Sequence, residues 1–146
     1  MTDTSTITDL LRAARTIAVV GLSAQPERPS HEVAAYLQGQ GYRIIPVNPA
    51  YAGTHILGEH CYPTLTQAAQ AVAPEAGKID VVDCFRRSEH IAPIVDEAIA
   101  IGASAVWMQL GVEDPVAADK ARAAGMTVVM DKCIKIEHQA HLSGRG

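Results

Sequence analysis

One unbroken apolar run near the N-terminus constrains the fold more than any other stretch of this chain. It extends from Ile17 to Leu22, carries no charge, and includes Gly21 near its end. Such a run is typical of a central parallel strand that is buried on both faces. Gly21 permits a turn at which a Cβ atom would crowd an approaching group, and a helix beginning near Pro29 and Ser30 would direct free N–H groups to the same place. The stretch therefore predicts a phosphate-binding loop, with an ordinary strand–loop–helix connection as the alternative.

The periodicity of the remaining sequence predicts strands that alternate with helices. Further strands are expected at residues 42–47, 79–85, 104–108 and 126–130. Helical spacing between them, with glycine closing the helices, implies right-handed crossovers and a parallel, doubly wound α/β sheet of five strands. We expect the strand order 3-2-1-4-5, which places the switch point between the first and fourth strands. Ligand groups should then come from the loops after Gly21, Val47, Cys84 and Met108.

Two helix boundaries are marked by local residues. Thr6 and Asp9 resemble an imperfect capping box for a short helix over residues 7–14. A later helix over residues 64–73 is expected to end before Pro74, because proline disrupts a helix interior.

The second strand and the segment after it contain unusual residues. Pro46 removes a ladder donor, so we expect the pairing of the second strand to thin out there. Residues 48–63 follow no regular period and are rich in turn formers, which is typical of a binding loop.

The length and charge of the chain narrow the class of protein. Its 146 residues predict a single domain over 1–146, with a core at about 16–138 and a frayed tail at 143–146. A net charge of -4 at pH 7 gives no global basic field, which argues against a nucleic-acid partner. The N-terminus does not resemble a signal peptide, and no apolar run approaches the ~18 residues of a membrane span. We expect a cytoplasmic protein with no membrane association; its protein partners, if any, are not indicated.

The three cysteines predict no disulfide framework. Cys61, Cys84 and Cys133 are odd in number and widely spaced, as reduced thiols usually are. Cys84 ends a predicted strand and is expected to be a small buried apolar residue.

Two other groups of side chains allow a functional interpretation that we do not favour. Cys133, His138 and His141 fit no structural zinc pattern well, so no metal is predicted. His55, His60 and Cys61 would serve as a nucleophile and base only within hydrogen-bond reach of one another, and polar loop residues are the favoured interpretation. No catalytic residue is predicted.

The first loop departs from the fingerprint of nicotinamide-cofactor enzymes. In place of the second and third glycines of G-x-G-x-x-G, the chain has Ser23 and Pro26. Asn48 ends the second strand, where an acidic residue would accept the ribose hydroxyls of NAD. Three arginines near the strand ends instead favour a nucleotide with more phosphate charge; they are Arg28, Arg86 and Arg87.

Several sequence blocks occur in a characteristic order, at residues 19–23, 28–30, 45–49, 56–58, 85–87, 107–111 and 129–133. Together they resemble the small stand-alone CoA-binding proteins, which are related to the CoA-binding domain of the succinyl-CoA synthetase alpha subunit, and the resemblance covers about 16–138. It implies a Rossmann-like fold that binds coenzyme A or an acyl-CoA, with no established reaction. The larger synthetases also use a phosphorylated histidine in a second domain and a nucleotide-grasp subunit, and the resemblance covers neither.

The resemblance also implies roles for individual residues. The pyrophosphate would be held by the loop of Gly21, Leu22, Ser23, Arg28, Pro29 and Ser30, through backbone N–H groups, the Ser23 hydroxyl and the arginine. Val47, Asn48 and Pro49 would line the adenosine side, and Phe85 and Arg86 would close over the adenine or its phosphate. Met108, Gln109, Leu110 and Gly111 would face the pantetheine arm.

Alternatives remain for some of these roles and for the function. Phe85 is equally well interpreted as a core residue, and Arg87 as a solvated surface charge. The alternative function is an enzyme that acts on a CoA thioester or uses NAD(P).

Overall fold

The computed structural model describes residues 3–142, which lie in six α-helices, seven strands and two short 3-10 turns. The predicted tail at 143–146 lies outside the described residues. In chain order the elements are α1 (Thr4–Ala13), β1 (Thr16–Val20), α2 (Pro29–Gly39), β2 (Arg43–Val47), β3 (His55–Ile56), β4 (Glu59–His60), α3 (Leu65–Ala76), β5 (Val81–Cys84), α4 (Ile91–Ala100), β6 (Ala105–Met108), α5 (Pro115–Ala123), β7 (Thr127–Val129) and α6 (Ile134–His141). The 3-10 turns cover Pro49–Tyr51 and Ser88–His90.

Five of the strands form one parallel sheet in the order β2-β1-β5-β6-β7. The Rossmann-like α/β fold class is therefore confirmed. The predicted order 3-2-1-4-5 is wrong, because the third main strand, β5, pairs with β1 and not with β2. The outer edge of β2 is already occupied: Tyr62 N donates to Pro46 O (3.0 Å), and Asn48 N donates to Tyr62 O (2.9 Å). After this edge, α3 crosses over β1, and the next strand, β5, pairs with β1 on the side away from β2.

The helices divide between the two faces of the sheet as right-handed crossovers require. The step from β1 outward to β2 carries α2 to one face, where it shares a buried cluster with α1 and α6. The later crossovers, from β2 to β5, β6 and β7, run along the sheet in the opposite direction. Helices α3, α4 and α5 therefore lie on the other face, where their apolar sides form a second buried cluster. The sheet is thus covered on both faces, which accounts for the mostly apolar residues of its strands.

The new strand order moves the switch point to the gap between β1 and β5. The loops that follow these two strands therefore face each other, with Phe85 N donating to Val20 O (2.9 Å). A ligand at this edge is expected to contact the loop after Gly21 and the loop after Cys84 first.

Two predicted helix boundaries are wrong. Asp3, and not a box of Thr6 and Asp9, caps α1, since its Oδ1 accepts from Thr6 N (2.8 Å). Helix α3 continues through Pro74 to Ala76. Pro74 lies in the last turn, and the helix extends only two residues beyond it.

The pairing of β2 does not thin out at Pro46, because its register with β1 continues to Val47. The Pro46 carbonyl points outward to Tyr62, and its nitrogen faces the same side of a parallel strand. The ladder with β1 therefore loses no donor. The segment that follows, without a period in the sequence, contains the antiparallel hairpin of β3 and β4.

One acidic residue lies in the middle of the sheet. Asp83 is fully buried on β5, level with Val19 on β1 and Trp107 on β6. Neither carboxyl oxygen has a hydrogen-bond partner among the described residues, and burial raises the pKa of Asp83 well above its ordinary value. Cys84 beside it is also fully buried, as predicted. Among residues 3–142, no helix combines the length and apolar character that a bilayer crossing requires.

Candidate functional site

Gly21 forms the turn at the end of β1. Its φ of +91° lies in the left-handed region, and its N–H donates to Val47 O at 2.8 Å. A Cβ atom here would lie closer than 3.0 Å to the carbonyl oxygen of Phe85 and 2.9 Å from Arg86 Cδ. Because Gly21 has no Cβ atom, the loop after β5 can lie directly against it.

Two serines hold the loop after Gly21 in shape. Ser23 N donates to the Oγ of buried Ser30 (3.0 Å), and Ser23 Oγ accepts from Gln25 N (3.1 Å). The Ser23 hydroxyl can still donate a hydrogen bond. Within residues 3–142, the N–H group of exposed Ala24 donates to no acceptor. The loop therefore has a backbone donor available for an anion.

The loop leads into the N-terminus of α2, which has 11 residues. Arg28 occupies the N-cap position without a side-chain capping bond, and Pro29 is the first helical residue. Both are exposed. The positive end of the helix dipole is therefore not covered by a capping side chain.

Asn48, at the end of β2, joins the loops that follow β1 and β2. Its Nδ2 donates to Leu22 O (3.1 Å), and its Oδ1 accepts from Ala50 N (2.9 Å). Leu22 is fully buried, so this predicted site residue is not accessible to a ligand in this structure.

Three cavities meet at Arg86, which lines all of them. Arg86 is half-buried, and its guanidinium forms no ion pair or hydrogen bond with any residue from 3 to 142. The first cavity, the loop groove, has a volume of about 410 Å³ and lies among Ser23, Arg28, Asn48 and Phe85.

The second cavity, the side groove, has a volume of about 530 Å³ and lies between α2 and the loop after β6. Its polar residue Gln109 accepts from Ile134 N (3.2 Å) and so caps α6. Gly111, with φ +80°, donates to Asp131 Oδ1 (2.7 Å). Leu110 is 60% exposed beside them.

Met108 does not face this groove. Its side chain is fully buried in the cluster under α4 and α5, because alternation along β6 directs it to that face. The prediction that Met108 lines the ligand arm is therefore wrong.

The third cavity, the small pocket, has a volume of about 250 Å³ and lies on the α3 and α4 side of Gly21. Val47 and Pro49 from the predicted site line it. Pro63, which precedes α3, and Glu97, on α4, also line it. Neither was predicted, because both reach the pocket through the packing of α3 on α4.

Twelve of the thirteen predicted site residues line these cavities. They are Gly21, Ser23, Arg28, Pro29, Ser30, Val47, Asn48, Pro49, Phe85, Arg86, Gln109 and Gly111. Leu22 is the exception. Arg87 lines the side groove at its edge, and Cys133 and Val33 line it without having been predicted.

The cysteine and histidine side chains named in the sequence do not form a catalytic group. Cys61 is buried, its thiol lies 3.6 Å from Asn48 O, and burial raises its pKa. His55 and His60 face each other across the hairpin, with ring centres 5.7 Å apart. His138 lies 2.7 Å from the Tyr36 hydroxyl, and burial lowers its pKa. In the described part of the chain, no three His, Cys, Asp or Glu side chains are grouped as metal ligands.

This geometry defines a class of α/β protein that binds a ligand outside the carboxyl ends of parallel strands, at the switch point. The family model for a CoA binding domain matches residues 15–139, and the chain therefore belongs to the CoA-binding domain family.

The chain is also similar to other proteins over most of its length. The uncharacterized protein YneT of Bacillus subtilis is 38% identical over 132 residues, which cover 90% of this chain and 91% of YneT. A solved structure from Thermus thermophilus is 31% identical with a TM-score of 0.84, covering 97% of this chain and 100% of that one. A hypothetical protein from Pyrococcus horikoshii is 34% identical with a TM-score of 0.86, covering 97% and 94%.

Proposed function

We propose that this protein binds coenzyme A or an acyl-CoA across the carboxyl edge of its sheet and does not turn it over. The phosphates lie in the loop groove, and the pantetheine arm lies in the side groove. The observation that carries the proposal is Arg86, a half-buried cation without a carboxylate partner in the described chain, at the point where the cavities meet. Such a group gains most from an anionic ligand.

The charge distribution supports an anion at this edge. The chain as a whole carries -4, yet Arg28, Arg86 and Arg87 all line the cavities. Of the described residues, none that lines the loop groove or the side groove is acidic. The free N–H group of Ala24 and the N-terminus of α2 add to this local positive potential.

The side groove suits an arm with alternating apolar and amide groups. Its volume falls in the range of about 300–1,000 Å³ that is usual for ligand pockets. Val33, Phe85 and Leu110 provide apolar surface, while Gln109 provides a fixed polar group.

The absence of a linked catalytic pair supports binding without turnover. The titratable side chains in the walls of the three cavities include Arg86, His90, Glu97 and Cys133. Within residues 3–142, no two of them are joined by a hydrogen bond or ion pair, which nucleophilic catalysis would need. The alternative of an NAD(P)-dependent enzyme is disfavoured by Asn48, whose amide is engaged where a ribose carboxylate would stand.

A ligand panel tests the proposal. CoA, acetyl-CoA, NAD and NADP are added to the protein, and unfolding is followed by thermal shift. CoA at a hundredfold over its Kd should add about 2.7 kcal/mol to the free energy of unfolding, and NAD much less. Stabilisation by NAD, without stabilisation by millimolar CoA, would contradict the proposal. Thiol release from acetyl-CoA should not rise with protein concentration; a proportional rise would show turnover.

A further inference from the structure

The hairpin of β3 and β4 brings two histidine side chains together. His55 on β3 is directly opposite His60 on β4. In the next pair along the ladder, Cys61 N donates to Thr54 O (2.8 Å), and antiparallel pairs alternate between hydrogen-bonded and non-hydrogen-bonded types. His55 and His60 thus form a non-hydrogen-bonded pair, in which opposite side chains come closest.

The core holds this hairpin in place. Ile56 and Cys61 are buried, and because side chains alternate along a strand, the two histidines lie on the opposite, exposed face. At the turn, Gln38 Nε2 of α2 donates to Leu57 O (2.9 Å). The imidazoles therefore extend from a backbone that is already fixed, so little further ordering is needed for both to bind one ligand.

The ring nitrogens of this pair have no polar partner in the described part of the chain. The two rings contact each other, and His60 also lies against the ring of Tyr62, but neither imidazole forms a hydrogen bond or an ion pair. Glu59, the acidic residue of β4, points to the other face and lies 3.5 Å from Arg43. The nitrogens of both rings are thus available to a ligand from solvent.

The spacing of the two rings suits a shared metal ion. Their centres are 5.7 Å apart, and their planes are at 90°. Since a Zn–N bond is about 2.0–2.1 Å long, each ring centre lies about 3 Å from an ion that it binds, and two such centres on a tetrahedral ion lie about 5 Å apart. One ring already turns its edge toward the other, so only the second must rotate, about a terminal torsion with a broad energy minimum. Two exposed side chains can make this small adjustment.

We propose that His55 and His60 together bind one divalent transition-metal ion, such as Zn²⁺ or Ni²⁺, on the outer face of the hairpin. Imidazole nitrogen is a preferred ligand of these ions. Two protein ligands leave the remaining coordination positions to water, so the ion is exchangeable, and it cross-links β3 to β4. Neither histidine is among the described residues that line the three cavities, so this site is separate from the proposed CoA site.

Calorimetric titration of the full chain, made without an affinity tag, tests the proposal with Zn²⁺, Ni²⁺ and Mg²⁺. Wild-type protein should bind Zn²⁺ and Ni²⁺ but not Mg²⁺, which prefers oxygen ligands. His55→Gln and His60→Gln should each weaken the tightest site by about tenfold or more, because loss of an outer-shell partner alone costs about 10–100-fold. The double variant should bind little more weakly than either single variant, since one substitution already removes the two-ligand contact.

Two control variants each remove one imidazole outside the hairpin. His31→Gln, on α2, and His141→Gln, on α6, should keep the wild-type affinity for Zn²⁺ and Ni²⁺. His55 contacts no ring besides His60, so His55→Gln should fold even if His60→Gln, which also loses the contact with Tyr62, does not. Urea unfolding without metal checks that each variant is folded.

Wild-type affinity in both hairpin variants would overturn the inference. A halved stoichiometry at unchanged affinity would also overturn it, because each histidine would then bind its own ion. Loss of affinity in His141→Gln alone would place the ion on α6 and would likewise contradict the proposal. Weaker binding in both hairpin variants, with wild-type binding in both controls, is the expected result.

Discussion

Arg86 and Arg87 are adjacent in the chain but differ in what they contact. Arg87 exposes 83% of its side chain and lies 4.0 Å from Glu89. Arg86 is half-buried, lines all three cavities and pairs with no acidic residue of the described chain. An exposed, paired arginine contributes little to anion binding, whereas a partly desolvated one contributes more.

We therefore expect Arg86 to bind the 3′-phosphate of CoA, with Arg28 as the second candidate. Such a pair contributes on the order of 1.5–3 kcal/mol. Wild-type protein should prefer CoA to dephospho-CoA by about tenfold or more, and added salt should weaken the preference. Arg86→Ala should lose most of it while keeping its affinity for dephospho-CoA. Calorimetry with both ligands on both proteins measures the coupling.

Two control variants accompany this comparison of two ligands on two proteins, which is a double-mutant cycle. Arg87→Ala should change the preference much less, and Arg12→Ala, on α1, should leave it unchanged. A coupling energy near zero for Arg86 would exclude it as the phosphate partner, and a coupling for Arg28→Ala alone would transfer the role to Arg28.

Gly21 should be required for folding as well as for binding. Gly21→Ala places a Cβ against the Phe85 carbonyl, which is backbone and cannot rotate away. Gly125→Ala is a matched control, because Gly125 has φ +90° and no atom within 4 Å of a Cβ. The control should cost about 1–2 kcal/mol through backbone strain alone, and Gly21→Ala clearly more, in urea unfolding. Equal costs would show that the contact with Phe85 is unimportant.

Ser30→Ala should affect the loop more than Ser23→Ala. Ser30 is buried, and its Oγ is the acceptor for Ser23 N, so its removal costs about 1 kcal/mol and loosens the loop. Ser23 Oγ accepts from Gln25 N in an exposed bond, which should contribute less. CoA affinity and urea unfolding of the two variants test the difference. The opposite order of CoA affinities would assign the direct ligand contact to Ser23.

Asp83 should make the protein less stable as the pH rises. Its pKa is raised in the folded state by burial, so above about pH 4 the unfolded chain releases this proton while the folded chain keeps it. The stabilisation is present below the unfolded pKa and is lost as the pH rises toward the folded pKa, by up to about 1.4 kcal/mol per pH unit. Asp83→Asn removes this dependence. Urea unfolding at about pH 5 and pH 7 should give the variant a flatter profile than wild type, and parallel profiles would refute the assignment.

The sequence allowed most of the local structure to be predicted, because buried strands and helix faces have periods that can be counted. The order of the strands could not be predicted, because Tyr62, which occupies the outer edge of β2, lies in a segment without a period. The positions of Arg86 and Asn48 followed from their places after strands, whereas Glu97 reaches the site only through the packing of α3 on α4.

The roles of Ser23 and Ser30 could also be predicted from the sequence only in part. A Ser in a glycine loop suggests a ligand contact, and Ser23 lines the loop groove. Its hydrogen bonds with Gln25 and Ser30 depend on the path of the whole loop, which one-dimensional spacing does not specify.

The pairing of Tyr62 with β2 also has a consequence for contacts between molecules. An open edge of a parallel sheet can add a strand from another chain and begin aggregation. Here Tyr62 forms hydrogen bonds with the outward-facing carbonyl of Pro46 and N–H of Asn48. At the other end of the strand, Arg43 forms ion pairs with Glu59 and Glu75. Residues 48–63 thus protect the flank of β2 against intermolecular strand addition. Shortening this segment would expose that flank and favour self-association.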